Sequence, residues 1–124
     1  MRELGKYLAM ATMAMATGSA FAQEPANSVP TITITPTSNG IEVVGSAVGL
    51  SRGKATGTLT IERHGRSGTA RTRQSRELDL GPGETAYIAR TGVSFGAGDT
   101  LDVTVTLEQD GQIIGTATVK SRGD

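Results

Sequence analysis

Residues 63–76 contain five arginines and the only histidine of the chain, without a single carboxylate: the stretch reads RHGRSGTARTRQSR. The whole chain is balanced, with 12 basic and 12 acidic residues, so this positive charge is a local feature. An arginine side chain binds a carboxylate through two parallel hydrogen bonds, which suits it to an anionic partner. The composition predicts a basic binding site made of Arg63, Arg66, Arg71, Arg73 and Arg76, which Arg52 and Lys54 could extend.

A second interpretation of the same arginines is protective. Charged side chains on an exposed edge strand prevent a neighbouring chain from pairing with it. The stretch contains arginine but no lysine. This favours binding, because the planar guanidinium adds directed hydrogen bonds that solubility alone does not require.

Catalysis at His64 is not expected. Cationic neighbours disfavour the protonated form of a general base, and we expect no acid close in sequence to orient this one. The chain has no cysteine, and no Gly-x-Ser-x-Gly turn presents a nucleophilic serine. The sequence therefore predicts a protein that is not an enzyme and has no catalytic residue.

Metal and cofactor sites are equally unsupported. One histidine without cysteine cannot complete a zinc site. The segments GPGE at 81–84 and FGAGD at 95–99 lack a following lysine and a helix for a phosphate, and are interpreted as turns. We predict no metal and no cofactor, since the remaining carboxylates lack the spacing of a calcium loop: Asp99, Asp102, Glu108 and Asp110.

The elements that position these residues are predicted to be strands. Threonine, valine and isoleucine recur with a period of two, and glycine, proline, asparagine or aspartate separates each run. Short alternating strands in a domain of about 100 residues are typical of an all-β fold, an immunoglobulin-like antiparallel β-sandwich. About seven strands are predicted, at 30–36, 41–48, 56–63, 69–76, 84–90, 100–108 and 112–119.

Alternation of side chains predicts the register of two hairpins. With Leu59 and Ile61 facing inward, a four-residue loop from Gly65 to Gly68 pairs Glu62 with Arg71 and Thr60 with Arg73 on the solvent face. We therefore expect Arg66 at the loop tip and Arg63 and Arg76 near the two ends of the hairpin.

The last hairpin must turn two apolar sets of residues toward one core. A three-residue loop, Gln109-Asp110-Gly111, satisfies this requirement by pairing Leu107 with Ile113. We therefore predict that loop rather than a two-residue Asp110-Gly111 turn.

The N-terminal residues 1–22 have the pattern of a secretory signal peptide. Arg2 and Lys6 precede a short apolar run, and Ala20-Phe21-Ala22 supplies small residues for cleavage after Ala22. The apolar run is shorter than the ~20 residues that span a bilayer, so no membrane insertion is expected. The remaining chain is predicted to comprise a flexible leader at 23–29, one domain at 30–120 and a disordered tail at 121–124.

General nucleic-acid binding is disfavoured. Removing Arg2, Lys6 and Glu3 with the signal peptide leaves ten basic and eleven acidic residues, a net charge near −1. The same removal leaves only Tyr87 and Phe95 as aromatic residues, whereas single-stranded nucleic acids bind on stacked aromatic rings.

The run from Gly57 to Arg63, followed by Gly65, Ser67-Gly68, Gln74, Leu78, Leu80 and Gly83-Glu84, resembles the CsgH branch of the CsgC-like curli assembly chaperones, the curli amyloid inhibitor family. The resemblance covers about Val29 to Lys120. It implies an immunoglobulin-like sandwich in the periplasm of a Gram-negative bacterium, where biofilm-forming curli are assembled. It also implies that the protein keeps an unfolded or nascent curli subunit from polymerising into amyloid before export.

The resemblance has one departure. CsgC carries a Cys-x-Cys pair, and this chain has no cysteine, so a redox role based on that pair does not apply. Inhibition in the family is understood to be electrostatically guided, and the arginines already named are the residues here that could guide it. The expected form of the protein is a monomer.

Two other function classes stay open. The domain could be a structural or adhesin-like sandwich that assembles with itself. It could instead bind an anionic polysaccharide or a lipid phosphate through the same arginines.

Overall fold

The computed structural model describes residues 27–66 and 68–123, which form seven strands connected by short turns. All five strand pairings are antiparallel, and no helix occurs within these residues. The predicted all-β fold is therefore confirmed. The strands are β1 (Ser28–Pro36), β2 (Gly40–Gly49), β3 (Gly53–Gly65), β4 (Gly68–Leu80), β5 (Thr85–Ser94), β6 (Thr100–Gln109) and β7 (Gln112–Arg122).

The strands form two sheets that pack face to face as a β-sandwich. A three-stranded sheet has the order β1-β2-β5, and a four-stranded sheet has the order β4-β3-β6-β7. In an immunoglobulin constant domain the fourth strand belongs with the first, second and fifth. Here β4 instead remains beside β3 as a long hairpin, and this pairing places the arginine-rich stretch at the edge of the larger sheet.

The core lies between the two sheets and follows the alternation of side chains along the strands. In β6, Leu101, Val103, Val105 and Leu107 are at most 2% exposed, while the residues between them are only half-buried. Leu59 and Ile61 of β3 point into the same core, as the sequence predicts. The other buried apolar side chains of this cluster are Val43, Ala47, Leu78, Leu80 and Ile88.

A bulge in β5 inserts one side chain into this core. Along β2 the partner changes from Ala89 at Gly45 to Tyr87 at Ser46, so Ile88 is the extra residue. The Ile88 side chain is 6% exposed and lies over Gly57 of β3. A Cβ atom at position 57 would come within 2.6 Å of two Ile88 carbons, which explains why a glycine is needed there.

The β6–β7 connection differs from the predicted three-residue loop. Gln109 pairs with Gln112, so the loop is the two-residue turn Asp110-Gly111, with φ of 51° and 78°. This turn matches the twist of the flanking strands. The expected pairing of Leu107 with Ile113 is therefore wrong.

A bulge after this turn keeps Ala117 and Val119 of β7 on the core side, opposite Val105 and Val103. Glu108 pairs with Ile113 and Leu107 with Gly115, so Ile114 is the extra residue in β7. The bulge restores the alternation that the short turn would otherwise reverse. It also leaves the Ile113 side chain 64% exposed, whereas the sequence predicted an inward position.

The first and last strands extend past residues 30 and 120, the limits predicted for the domain. At the N-terminal side β1 begins at Ser28, and the buried Asn27 accepts a backbone hydrogen bond from Leu50 at 2.7 Å. At the other end β7 continues to Arg122, and the Gly123 amide donates to Asp99 O at 2.8 Å. The predicted signal peptide at 1–22 lies outside the described residues. Among the described residues, no helix is long and apolar enough to cross a membrane.

We expect a steric conflict between positions 57 and 88 when Gly57 is enlarged. Gly57→Ala should lower the free energy of unfolding by about 1–3 kcal/mol through overpacking, and Ile88→Ala by about 2–5 kcal/mol through cavity formation. The double variant should be more stable than the sum of the two losses predicts, because the shortened side chain no longer meets the new methyl group. Urea denaturation measures all three values.

The matched control is Gly92→Ala in β5, where an added Cβ has no neighbour within 4 Å. Its effect should stay within about 1 kcal/mol. Strict additivity of Gly57→Ala and Ile88→Ala would contradict the contact between the two positions.

Candidate functional site

The β3–β4 hairpin has the predicted register on its solvent face. Glu62 pairs with Arg71 and Thr60 with Arg73. The strands extend one pair further than predicted, to Gly65 and Gly68, so the loop has two residues instead of four. Arg66 occupies this loop and is exposed, as expected for the tip of the hairpin.

Arg71 and Arg73 are exposed arginines of β4 on the outer face. Arg71 Nε lies 3.9 Å from Glu62 Oε2, and its side chain is 64% exposed. Around Arg73, no carboxylate of the described chain lies within 4.0 Å. Because an exposed pair at this distance is only weakly neutralising, both side chains can bind an anion from solution.

Two further basic residues lie on the same outer face, and sequence reasoning did not include them. Across the sheet Glu62 pairs with Asp102, and Asp102 with Lys120, whose Nζ lies 3.7 Å from Asp102 Oδ1. One position along the face, Arg122 pairs with Thr100. We name this part of the outer face the basic end, and it comprises Arg71, Arg73, Lys120 and Arg122. The alternation of side chains along β7 places Lys120 and Arg122 on the solvent side. That this side is the face of Arg71 becomes clear only from the pairing of β7 with β6.

The opposite end of the same face is acidic. It carries Glu77, Asp79, Glu108 and Asp110, which line an open cavity of about 390 Å³. Lys54 lies in the same cavity and pairs with Asp79 along the hairpin. Neither Lys54 nor the neighbouring Arg52 extends the basic end, because Lys54 lies six positions along β3 from Thr60, the partner of Arg73, a distance of roughly 20 Å. The predicted extension is corrected accordingly.

Arg63 and Arg76 lie on the inner face of the hairpin, not on the outer face with Arg71 and Arg73. Arg76 Nη1 donates to the Tyr87 carbonyl at 2.9 Å, and Arg63 Nη1 donates to the Ser94 carbonyl at 3.2 Å. Both acceptors belong to β5 of the other sheet. These two arginines therefore connect the β3–β4 hairpin to the edge strand β5 of the other sheet, and the five arginines do not form a single face.

A third side chain reinforces this connection. Gln74 Nε2 donates to Thr91 Oγ1 at 2.6 Å, between the two arginine contacts. Arg63 Nε is buried without a hydrogen-bond partner, so part of this guanidinium stays unsatisfied. The contacts occupy carbonyl groups at the β5 edge and leave fewer of its backbone acceptors open to an added strand.

His64 has a neighbouring acid, contrary to the expectation from sequence. Its Nε2 lies 3.1 Å from Glu62 Oε1, and its Nδ1 lies 3.0 Å from Thr69 Oγ1. The glutamate favours the tautomer in which Nε2 carries the proton, so that Nδ1 accepts from the threonine hydroxyl. The three side chains lie on the exposed face of the sheet beside the loop. Their hydrogen bonds order the surface of the hairpin. The Glu62 carboxylate therefore contacts both His64 and Arg71.

Among the described residues, no group of three or more histidine, cysteine, aspartate or glutamate side chains is arranged to hold a metal ion. The outer face of the four-stranded sheet carries charged and hydroxyl side chains. It has a basic end, an acidic end, and a central region of hydroxyl side chains that includes Thr58, Thr60, Thr104 and Thr106.

Comparison with solved structures relates this sandwich to two proteins, the curli protein CsgC and CsgH. E. coli curli protein CsgC matches with a TM-score of 0.65 over 73% of this chain and 96% of its own, at 15% identity. The solution structure of R. palustris CsgH matches with a TM-score of 0.59 over 72% of this chain and 89% of its own, at 10% identity. No protein-family model and no curated protein sequence matches the chain.

At these identities the likeness establishes the fold. The chain is a β-sandwich of the type found in CsgC and CsgH, and the resemblance seen in the sequence is confirmed at that level. Both comparisons span nearly the full length of the matched protein, so the likeness extends over the whole sandwich.

The two classes of arginine should differ in their contribution to stability. Arg76→Met retains the aliphatic stem and removes the bond to the Tyr87 carbonyl, and should lower the free energy of unfolding by about 1 kcal/mol. Arg73→Met, on the outer face of the same strand, should change it by no more than about 0.5 kcal/mol. Urea denaturation of both variants measures the difference. Equal losses would contradict the assignment of Arg76 as an inter-sheet contact.

Proposed function

We propose that this protein is an extracytoplasmic chaperone of the CsgC and CsgH type, which delays the amyloid polymerisation of a curli-type subunit. The observation that carries the proposal is the exposed pair Arg71 and Arg73 on β4, an edge strand of a CsgC-like sandwich. The client is an unfolded or nascent chain with acidic segments. Lys120, Arg122 and Arg66 add to the positive field around the same end of the sheet.

The first step is electrostatic encounter. A local basic surface raises the rate at which an acidic unfolded chain collides in a productive orientation. Such steering depends on ionic strength, because the Debye length falls from ~30 Å at 0.01 M to ~10 Å at 0.1 M salt. The acidic end of the face repels the same client, so the approach is directed to the β3–β4 loop side.

The second step is transient pairing with the edge of β4. This strand is 13 residues long and pairs in continuous register with β3 alone among the described strands. An extended client segment adds there by main-chain hydrogen bonds, while the arginines bind its acidic side chains. The same charges oppose indefinite addition of further strands, which prevents the chaperone from acting as a fibre template.

This function requires neither a cofactor nor a catalytic residue, and it places the protein in the periplasm. The signal-peptide pattern at 1–22, with cleavage after Ala22, supports this location. The absence of cysteine from the chain means that the activity is independent of thiol chemistry.

The proposal predicts a delay in fibre formation that salt and two substitutions both reduce. Substoichiometric protein should lengthen the thioflavin lag time of a purified curli subunit at ~0.01 M salt and lose most of this effect at ~0.5 M, because screening weakens the encounter. Arg71→Ser combined with Arg73→Ser should shorten the lag at low salt to nearly that of the subunit alone.

Arg90→Ser is a closely matched control for Arg71→Ser. Arg90 is 65% exposed and its Nε lies 3.9 Å from Glu42 Oε2, yet it is on the other sheet. It should retain the full delay. A delay that is indifferent to salt, or that Arg90→Ser abolishes equally, would contradict the proposed site. Binding to heparin without any effect on lag time would instead favour a receptor for anionic polysaccharide.

A further inference from the structure

The outer-face residues of β4 form a charge pattern that is self-complementary. Read along the strand, the solvent-facing positions carry two arginines, one serine and two acids: Arg71, Arg73, Ser75, Glu77 and Asp79. All five are exposed. A strand with this order is complementary to itself when a second copy runs antiparallel, because each basic position then lies opposite an acidic one.

The backbone of β4 presents the same residues to its open edge. Gly65 and Gly68 flank a two-residue loop. In a hairpin with such a loop the two flanking residues form a hydrogen-bonded pair. Hydrogen-bonded pairs alternate along an antiparallel ladder, so the even-numbered residues of β4 bond to β3. The amide and carbonyl groups of the odd-numbered residues, from Thr69 to Asp79, therefore point away from β3 to the open edge.

We propose that β4 is a self-association edge, at which a second copy of this chain adds antiparallel with Ser75 opposite Ser75. In this register Arg71 faces Asp79 and Arg73 faces Glu77 of the other copy, and each contact occurs twice because of the two-fold symmetry. The same residues exchange main-chain hydrogen bonds. The two four-stranded sheets then become one continuous sheet.

Charge selects this register over its alternatives. Centred on Ser75, the pairing contains four opposite-charge contacts. A shift by one pairing step, which is two residues, leaves two such contacts in either direction. Shifts of two steps place Arg73 opposite Arg73 or Glu77 opposite Glu77, and in-register parallel pairing places like charges opposite at every charged position. Like charges directly opposite are destabilising.

The other three edges of the sandwich are less suited to this role. Carbonyl groups of β5 accept hydrogen bonds from Arg76 and Arg63, and β1 contains Pro30 and Pro36, which cannot donate to a ladder. The strand β7 is interrupted by the bulge at Ile114. By contrast β4 pairs with β3 without a bulge and contains no proline. Ala70 and Gln74 on its inner face are exposed although Gln74 bonds to Thr91 of β5, so the smaller sheet covers β4 only in part and leaves its edge open.

The association closes on itself, because a two-fold pairing uses the β4 edge of both copies and leaves none to extend a fibre. It also covers Arg71 and Arg73. If these arginines bind the client as proposed above, self-association and client binding compete, and the dimer is the resting form. The dimer itself does not depend on that function.

Charge reversal tests the register. The protein, expressed from its full-length sequence, should show concentration-dependent dimer formation by sedimentation velocity at low salt. Arg73→Glu and Glu77→Arg should each raise the dimer dissociation constant by about tenfold or more, because each places like charges opposite. The double variant Arg73→Glu/Glu77→Arg restores opposite charges at both positions and should recover the wild-type constant. Arg90→Glu on the other sheet should leave it unchanged.

A cysteine cross-link gives an independent measurement on the cysteine-free chain. Ser75→Cys brings two thiols to the symmetry axis, where paired Cα atoms are about 5.5 Å apart, within the range of a disulfide. Under mild oxidation it should form a covalent dimer faster than Thr118→Cys, a β7 position on the same outer face. Equal rates would overturn the proposal, since they would indicate random collision.

A wild-type protein that stays monomeric up to about 1 mM would overturn the inferred edge. So would a dimer whose dissociation constant is the same in Arg73→Glu. These results are separate from the thioflavin assay: a dimer that does not delay amyloid leaves the self-association intact and rejects the chaperone function.

Discussion

The register of one hairpin determines what each arginine of this protein can do. Side chains alternate between the two faces of a sheet, so pairing Glu62 with Arg71 sends Arg71 and Arg73 to solvent and Arg76 toward the other sheet. The outward pair remains available for recognition. The inward arginines, Arg63 and Arg76, bind carbonyl groups of β5 and close the gap between the sheet edges. A cluster that is uniform in sequence thus divides into a solvent-exposed pair and a structural pair.

Part of this arrangement was predictable from the sequence. The alternation of apolar residues in β3, together with a loop placed between Gly65 and Gly68, was enough to obtain the register of the β3–β4 hairpin and the exposure of Arg71 and Arg73. The β6–β7 turn was predicted wrongly because a bulge at Ile114 restores the parity that a two-residue turn reverses. A bulge has no strong local signature, since its stability depends on the packing of the whole sheet.

The remaining features required the tertiary structure. The distribution of strands between two sheets brings Lys120 and Arg122 to the same face as Arg71, although almost fifty residues separate them in the chain. It also brings the carbonyl groups of β5 within reach of Arg63 and Arg76. These contacts are non-local, and neither composition nor period determines them. The same partition leaves β4 as an edge, which makes its balanced charge pattern accessible to a partner.

The most direct measurement is a map of the surface that contacts a client. Amide resonances of isotopically labelled protein would be followed by NMR during titration with an unfolded, acidic curli-type subunit at low salt. The structure predicts that the largest changes occur in β4 between Thr69 and Asp79, and that they diminish as salt is added. Changes concentrated in β1 or β5, or unaffected by salt, would contradict recognition by the outward arginines.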